Sequence, residues 1–204
     1  MVLNDAPRGR YFIVNKPYNM LSQFVSEGEA ALLGDIDFDF PEGIHAVGRL
    51  DKQSEGLLIL TTNKKVTRLL FQGETAHKRT YLVKVKNSVS EEKLQQLRTG
   101  IRIRIEGGGY YTTAVCEATI IEAPAGLFQS AGSLPEYPPF TWLQITLTEG
   151  KYHQIRKMVK AIHHNCQRLI RVSIEDLALN DLAPGAVREV DEVSFFSLLK
   201  INNW

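Results

Sequence analysis

A continuous apolar run at Gly56–Thr62 (GLLILTT) constrains the fold of this chain more than any other feature. A run of this length suits a strand but is too short for an ordinary helix, and it leaves no polar face for water. It therefore predicts a central strand covered on both faces. The chain has 204 residues, enough for one domain that covers such a sheet.

Period-2 patterns elsewhere predict more strands than helices. The predicted strands are Tyr11–Asn15, Thr80–Lys86, Ile101–Ile105, Tyr111–Ile121, Trp142–Thr148 and Arg168–Ile174. Helices are predicted after the caps Asn63 and Ser90 and over residues 152–164. A loop is predicted over Pro124–Phe140, and an apolar tail follows Pro184 and Gly185. Because strands and helices do not alternate regularly, we predict an α+β fold with a mostly antiparallel sheet.

Several classes of protein are excluded by what the chain lacks. Two cysteines, Cys116 and Cys166, do not make a disulfide framework. The first apolar run, Tyr11–Val14, is too short for a signal peptide or a membrane span, so a cytoplasmic protein without membrane contact is expected. No dinucleotide, P-loop, serine-hydrolase or zincin motif occurs, so no nucleotide cofactor and no metal are expected.

Charge is balanced overall, at +1, but not locally. Residues 26–44 hold six acids and no base, whereas residues 149–171 hold six bases and one acid. A basic segment in a neutral protein indicates a surface that docks a polyanion. The alternative is an ordinary solvated helix face.

Two polar clusters are candidates for chemistry. The loop at residues 48–56 joins the buried strand, and its Asp51 and Glu55 would form either a carboxylate pair or an exposed turn with ion pairs. The cluster His163–Cys166 (HHNC) has metal-ligand residue types, but its place at a helix end favours capping and anion contact. The acidic Asp35–Asp39 lacks the glycine and the glutamate of a calcium loop.

Residues 48–63 (GRLDKQSEGLLILTTN) resemble the signature of RNA pseudouridine synthases of the RsuA/RluB/RluE/RluF group. Other family motifs follow in the same order, so the resemblance runs from about Tyr11 to Leu199. These motifs are NKPY at 15–18, KRTYLVKV at 78–85, EGKYHQIRKM at 149–158, RLIR at 168–171 and PGAVR at 184–188.

The resemblance implies a sheet bent into two lobes with a central catalytic cleft and few flanking helices. Most relatives carry an RNA-binding S4 domain before the first strand, whereas only a short tail, residues 1–10, precedes it here. We therefore expect one catalytic domain over residues 11–204, without an S4 domain, that docks RNA by itself.

The implied reaction converts a uridine in RNA to pseudouridine without a cofactor. The N-glycosidic bond breaks, the uracil turns, and a carbon–carbon bond forms to the same ribose. By the match, Asp51 is the catalytic carboxylate; it attacks the ribose, adds to the base or takes a sugar proton. Arg156 would keep that carboxylate ionised in a water-poor pocket, since a guanidinium suits two-point contact.

The remaining site residues are expected to bind the RNA. Tyr81 would stack on the flipped base, and Ile155 and Leu169 would form an apolar wall. Phosphates would be held by basic side chains, namely Arg49, Lys16, Lys157, Lys160, Arg168 and Arg171.

The expected substrate is a uridine of large-subunit ribosomal RNA, bound by a monomer. The alternatives are the same chemistry on small-subunit ribosomal RNA or transfer RNA, a non-catalytic RNA-binding assembly factor, and a glycosidase that uses Asp51 and Glu55.

Overall fold

A computed structural model describes residues 9–73, 76–128 and 139–204. Most of the predicted tail 1–10 and residues 129–138 of the predicted loop lie outside the described residues. Within the described ranges, no helix has the length and apolar character needed to cross a membrane.

The described residues form eleven strands and four α-helices, with 3-10 turns at Leu33–Asp35 and Glu106–Gly108. The strands are β1 (Tyr11–Lys16), β2 (His45–Val47), β3 (Glu55–Thr61), β4 (Arg79–Lys86), β5 (Arg102–Arg104), β6 (Tyr110–Thr112), β7 (Glu117–Ile121), β8 (Phe140–Leu147), β9 (Cys166–Ile174), β10 (Leu177–Ala178) and β11 (Val187–Val190). The helices are α1 (Lys65–Phe71), α2 (Glu91–Arg98), α3 (Gln154–Ala161) and α4 (Glu192–Leu198).

Nine of these strands form one mixed sheet in the order β11-β1-β3-β9-β4-β8-β7, with β2 beside β3 and β10 beside β9. All pairings in this sheet are antiparallel except that of β3 with β9. This confirms the predicted α+β class. The parallel pairing divides the sheet into a first half, β11-β1-β3 with β2, and a second half, β9-β4-β8-β7 with β10.

The junction between the halves is narrow and depends on Gly56. Only two residue pairs join β3 to β9, Glu55 with Ile170 and Gly56 with Arg171. A Cβ on Gly56 would lie 2.2 Å from the carbonyl oxygen of Arg171, and Gly56 has φ +100°. Only glycine allows both this backbone conformation and this close approach.

The strand β3 is buried on both faces, as the apolar run predicts. Leu57 and Ile59 belong to one core cluster, with α1 and α4, while Leu58 and Leu60 belong to another on the opposite face. All four side chains are fully buried. Each contributes about 1.5–3 kcal/mol of apolar burial, so this strand anchors the loop that precedes it.

Two sequence predictions about elements are wrong. Tyr111–Ile121 is not one strand, because the chain leaves the β5–β6 hairpin after Thr112 and joins the main sheet only at Glu117. The apolar tail contains helix α4, whose N-cap Asp191 accepts a hydrogen bond from the backbone of Ser194 at 2.9 Å.

Candidate active site

A cavity of about 580 Å³ lies where the two halves of the sheet meet. Its walls come from the loop before β3, from β4, from the segment between β8 and α3, and from β9. A volume in the range of about 300–1,000 Å³ is typical of ligand pockets. The predicted site residues Asp51, Tyr81, Ile155 and Leu169 all line this cavity.

Asp51 lies in a loop that is held on both sides by side chains from other elements. Before it, the hydroxyl of Ser22 donates to the carbonyl of Leu50 at 2.8 Å and accepts from its N–H at 3.0 Å. After it, Arg156 Nη2 donates to the carbonyl of Gln53 at 2.7 Å. These contacts hold the backbone of the loop on both sides of Asp51.

Lys16 supports the same loop from inside the protein. Its ammonium group donates to the carbonyls of Pro17 and Met20, both at 2.8 Å, and to that of Lys52 at 3.4 Å. The side chain is fully buried. Burial lowers the pKa of Lys16 to about 8, opposed by the charges of Glu55 and Asp51. Lys16 is thus a structural cation and not part of an RNA-facing surface, because no phosphate can reach it.

Tyr81 lies on β4 where the pairing with β9 is irregular. The register of the two strands shifts between Thr80 and Tyr81. Such bulges re-aim a side chain, and here the half-buried Tyr81 ring lines the cavity. Ile155 and Leu169, 4% and 5% exposed, form an apolar wall beside it. An exposed aromatic face beside an apolar wall suits an unstacked pyrimidine.

Arg156 contacts the loop of Asp51 and does not form an ion pair with Asp51 itself. In the described part of the chain, Asp51 instead faces His153, whose Nε2 lies 3.6 Å from Asp51 Oδ1. Arg156 bonds to Gln53, two residues after Asp51, and its Nε is buried without a partner in the described residues. The guanidinium therefore adjoins the loop of the carboxylate and holds its backbone.

Two buried guanidinium groups, Arg79 and Arg171, line the cavity. Arg171 Nε donates to the carbonyl of Leu57 at 2.8 Å, while its Nη2 has no partner in the described residues. Burial lowers the pKa of Arg79 from its usual value, and Arg171 adds to this effect. Arginine remains charged at neutral pH in spite of such a shift, so the cavity has a cationic wall.

Sequence reasoning missed Arg79 and His153 as residues of the cavity. Arg79 directly precedes the Thr80–Tyr81 step of the strand motif, and His153 lies inside the helix motif. Both motifs are recognisable in the sequence, so a signal for these two residues exists. This signal is the position of the two residues within the motifs, next to predicted site residues. Neither residue belongs to a separate sequence pattern.

The predicted RNA-binding residues are divided between the interior and the surface. Arg168 forms a two-point ion pair with Glu55, both bonds at 2.9 Å, and donates to the carbonyl of Phe128. This ion pair gives Arg168 a structural role, and Arg171 belongs to the cavity wall. Three cations of the predicted set remain accessible to solvent: Arg49, which lines the cavity, and Lys160 are exposed, and Lys157 is half-buried.

The contacts of Glu55 argue against the glycosidase alternative, and those of His164 give the HHNC cluster a structural role. Glu55 is bound to Arg168 and lines a second, smaller cavity, so it does not form a catalytic pair with Asp51. At the end of α3, His164 contacts the carbonyl of Lys86 through Nδ1 and the ammonium of Lys93 through Nε2, at 2.8 and 3.1 Å. These contacts tie the helix end to neighbouring elements.

Comparison with known proteins agrees with this geometry. Residues 10–161 match the family described as RNA pseudouridylate synthase. Ribosomal large subunit pseudouridine synthase E of Vibrio parahaemolyticus is 34% identical over 188 residues, which cover 91% of this chain and 76% of that protein. The protein of the same name from Xanthomonas axonopodis pv. citri is 33% identical over 180 residues, covering 84% and 89%.

A solved crystal structure of a pseudouridylate synthase has the same fold. It aligns with a TM-score of 0.76 at 25% identity and covers 96% of this chain and 76% of that one. The family match spans most of the chain and includes the loop of Asp51, the strand of Tyr81 and all of α3. The chain therefore belongs to the RNA pseudouridylate synthase family and is an enzyme that isomerises uridine to pseudouridine in RNA.

Proposed function

We propose that the protein converts a specific uridine of large-subunit ribosomal RNA to pseudouridine, acting as a monomer in the cytoplasm. The target is suggested by the relatives from Vibrio and Xanthomonas, which are named for the large subunit. The observation that carries the chemistry is the convergence of Asp51 and Tyr81 on one cationic cavity at the junction of the two halves. The proposed catalytic domain extends over residues 11–204.

Four residues that line the cavity have proposed roles in the reaction. Tyr81 stacks on the flipped uracil, while Ile155 and Leu169 exclude water from the other side. Flipping costs a few kcal/mol, and stacking of a base on an aromatic ring returns about 1–3 kcal/mol. Asp51 faces the ribose and the base edge, where three roles fit: attack on the sugar carbon, addition to the base, or removal of a sugar proton.

The cations hold the RNA and the loop. Arg156 keeps the catalytic turn in place through the carbonyl of Gln53, at 2.7 Å. Arg49, Lys157 and Lys160 contact phosphates at the mouth of the cavity. Substituting any one of these three by alanine should reduce the slope of log affinity against log salt by about 1.

The target is tested by sequencing pseudouridines in total ribosomal RNA from cells with and without the gene. One large-subunit position should lose its pseudouridine when the gene is removed and regain it when the wild-type gene returns. Loss at a small-subunit or transfer-RNA position instead would reassign the substrate. An unchanged set of pseudouridines in every RNA would refute the proposed function.

The role of Asp51 is tested with Asp51→Asn and ribosomal RNA labelled with tritium at C5 of uridine. We expect no tritium release, because the amide cannot act as nucleophile or base, and an RNA affinity within a few-fold of wild type. Retained turnover would eliminate Asp51 as the catalytic group. Loss of RNA binding with the fold intact would move Asp51 to a binding role.

A further inference from the structure

Tyr152 is an exposed aromatic residue at the mouth of the catalytic cavity. Its side chain is 61% exposed, although it lines the same cavity as Asp51 and Tyr81. The mechanism outlined above gives this ring no task. Large aromatic groups that face water beside a polar site often contact a partner, because the ring gains when a second flat group covers it.

The ring is held in place by an unusual backbone conformation at the next residue. His153 has φ +55°, in the left-handed region, and serves as the N-cap of α3. This conformation costs a non-glycine residue about 1 kcal/mol or more and tends to persist at functional sites. It brings the imidazole against the Tyr152 ring, with the ring centroids 3.8 Å apart and the planes 20° apart.

These contacts link Tyr152 to the catalytic carboxylate through one intervening ring. His153 Nε2 lies 3.6 Å from Asp51 Oδ1, and the Tyr152 ring stacks on the same imidazole. Bases in a nucleic acid strand are spaced by about 3.4 Å when stacked. A uridine that is flipped toward Asp51 therefore leaves its neighbour in the strand without one stacking partner, and the exposed Tyr152 ring lines the same cavity.

A cation lies over the ring. Lys157 Nζ lies 5.2 Å from the centroid of Tyr152, and the N–H of Lys157 donates to the carbonyl of His153 at 2.9 Å. An aromatic face with an adjacent ammonium matches the two parts of a nucleotide, the base and the phosphate. Similar pairs are used by proteins that bind single-stranded RNA.

We propose that Tyr152 and Lys157 form a stacking subsite for the nucleotide adjacent to the target uridine. This inference rests on the proposed function, since it presupposes a flipped uridine at Asp51. The subsite replaces the stacking that the neighbour loses and so lowers the cost of flipping. It also makes RNA affinity depend on the base at that neighbouring position.

The test is a double-mutant cycle between Tyr152 and the neighbouring base. The probe is a synthetic RNA hairpin that carries the uridine found by pseudouridine mapping, with an abasic site placed directly before or after it. Affinities are measured in the Asp51→Asn background, so that no turnover occurs. With Tyr152 intact, one of the two abasic sites should weaken binding by about 5- to 150-fold, equivalent to about 1–3 kcal/mol.

In Tyr152→Ala, the same abasic site should cost nothing further, and Tyr152→Phe should restore the dependence because the ring is kept. Tyr110→Ala is the matched control: Tyr110 is also 61% exposed and also has a cation over its ring, from Arg102 at 4.1 Å, but it lies outside the cavity lining. This control should retain the full cost of the abasic site.

Three results would overturn the subsite: an abasic cost that persists in Tyr152→Ala, no cost at either neighbour with Tyr152 intact, or disappearance of the cost in the control. Conversion of the unmodified hairpin by wild-type enzyme reports the proposed function separately. Conversion without coupling overturns the subsite alone, whereas no conversion overturns the proposed function and the subsite with it.

Discussion

Lys16 should make the folded protein more stable as the pH rises above 8, opposite to the usual effect of alkaline conditions. Burial lowers the pKa of Lys16 to about 8, against 10.5 for a free lysine. Between these values the unfolded chain binds a proton that the folded chain has lost. Stability rises with pH wherever the unfolded state binds more protons. The cost of burying the charge is therefore present in full below pH 8 and is removed as the pH approaches 10.5.

The size of the effect follows from the shift. One unit of pKa corresponds to about 1.4 kcal/mol. Between about pH 7 and about pH 9.5, the Lys16 contribution to the free energy of unfolding should rise by about 2 kcal/mol. The fully buried ammonium makes the conversion appropriate, since no solvent screens it.

The two cysteine thiols change the pH dependence of stability in the opposite direction, so their effect must be removed by comparison with a variant that keeps them. Burial raises the pKa of Cys116 and of Cys166 to about 11, so above about pH 9 the unfolded chain loses these protons first and stability falls. Lys16→Met provides the comparison, because it keeps the thiols and much of the length of the side chain but cannot titrate. Urea unfolding of both proteins at several pH values gives the difference directly.

The difference in unfolding free energy, wild type minus Lys16→Met, should increase by about 2 kcal/mol from about pH 7 to about pH 9.5. At neutral pH the two proteins should be similar in stability, since the variant loses both the buried charge and its three carbonyl contacts. A difference that does not change with pH would show that the ammonium is hydrated, and the structural role assigned to Lys16 would then be wrong.

Three further substitutions test other parts of the site. Gly56→Ala should destabilise the protein by about 2–4 kcal/mol in urea unfolding, because its Cβ meets the carbonyl of Arg171; a change below about 0.5 kcal/mol would refute the close approach. Arg168→Ala should cost about 3–5 kcal/mol by leaving Glu55 buried without its partner, while the salt dependence of RNA binding stays unchanged; a smaller salt slope would return Arg168 to the RNA-binding set. Arg156→Lys should reduce single-turnover tritium release by more than about tenfold at an unchanged melting temperature, because the catalytic loop loses the planar group that fixes it, and near-normal rates would contradict this role.

Much of the sheet could be predicted because its strands carry local patterns. The apolar run predicts the central strand β3, and the alternation of Ile103 with Arg102 and Arg104 predicts β5. The division of Tyr111–Ile121 could not be predicted in this way. Tyr111 is half-buried between exposed neighbours in β6 and Ala118 is buried between exposed neighbours in β7, so the alternation continues although the chain changes sheets. At the change, the backbone N–H of Cys116 donates to the carbonyl of Arg98 at 3.1 Å.

Helix lengths and the α4 helix show a second limit. The apolar spacing of α3 continues through Ile162, but positive φ at His153 and His163 confines the helix to Gln154–Ala161. Such backbone states leave no trace in hydrophobic spacing. The apolar tail hid α4 because this helix has only 7 residues, too few for the apolar spacing of Phe195, Phe196 and Leu199 to indicate a helix.

The sequence motifs predicted which residues line one cavity, but not which basic side chains are accessible to RNA. Asp51, Tyr81, Ile155 and Leu169 share one cavity although they are distant in sequence. Charged residues are expected at the surface, and this general rule placed Lys16 and Arg168 there. Their burial depends on partners that only the tertiary structure brings together.

The two-pair junction between the sheet halves has a consequence for how the enzyme loses activity. Asp51 belongs to the first half and Tyr81 to the second, so neither half contains the complete site that we propose. A small parting of β3 from β9 would inactivate every molecule while both cores, and most of the spectroscopic signal of folding, remain. Turnover should therefore decline at lower denaturant concentrations than the circular dichroism signal. The difference between the two midpoints measures the stability of the β3–β9 junction.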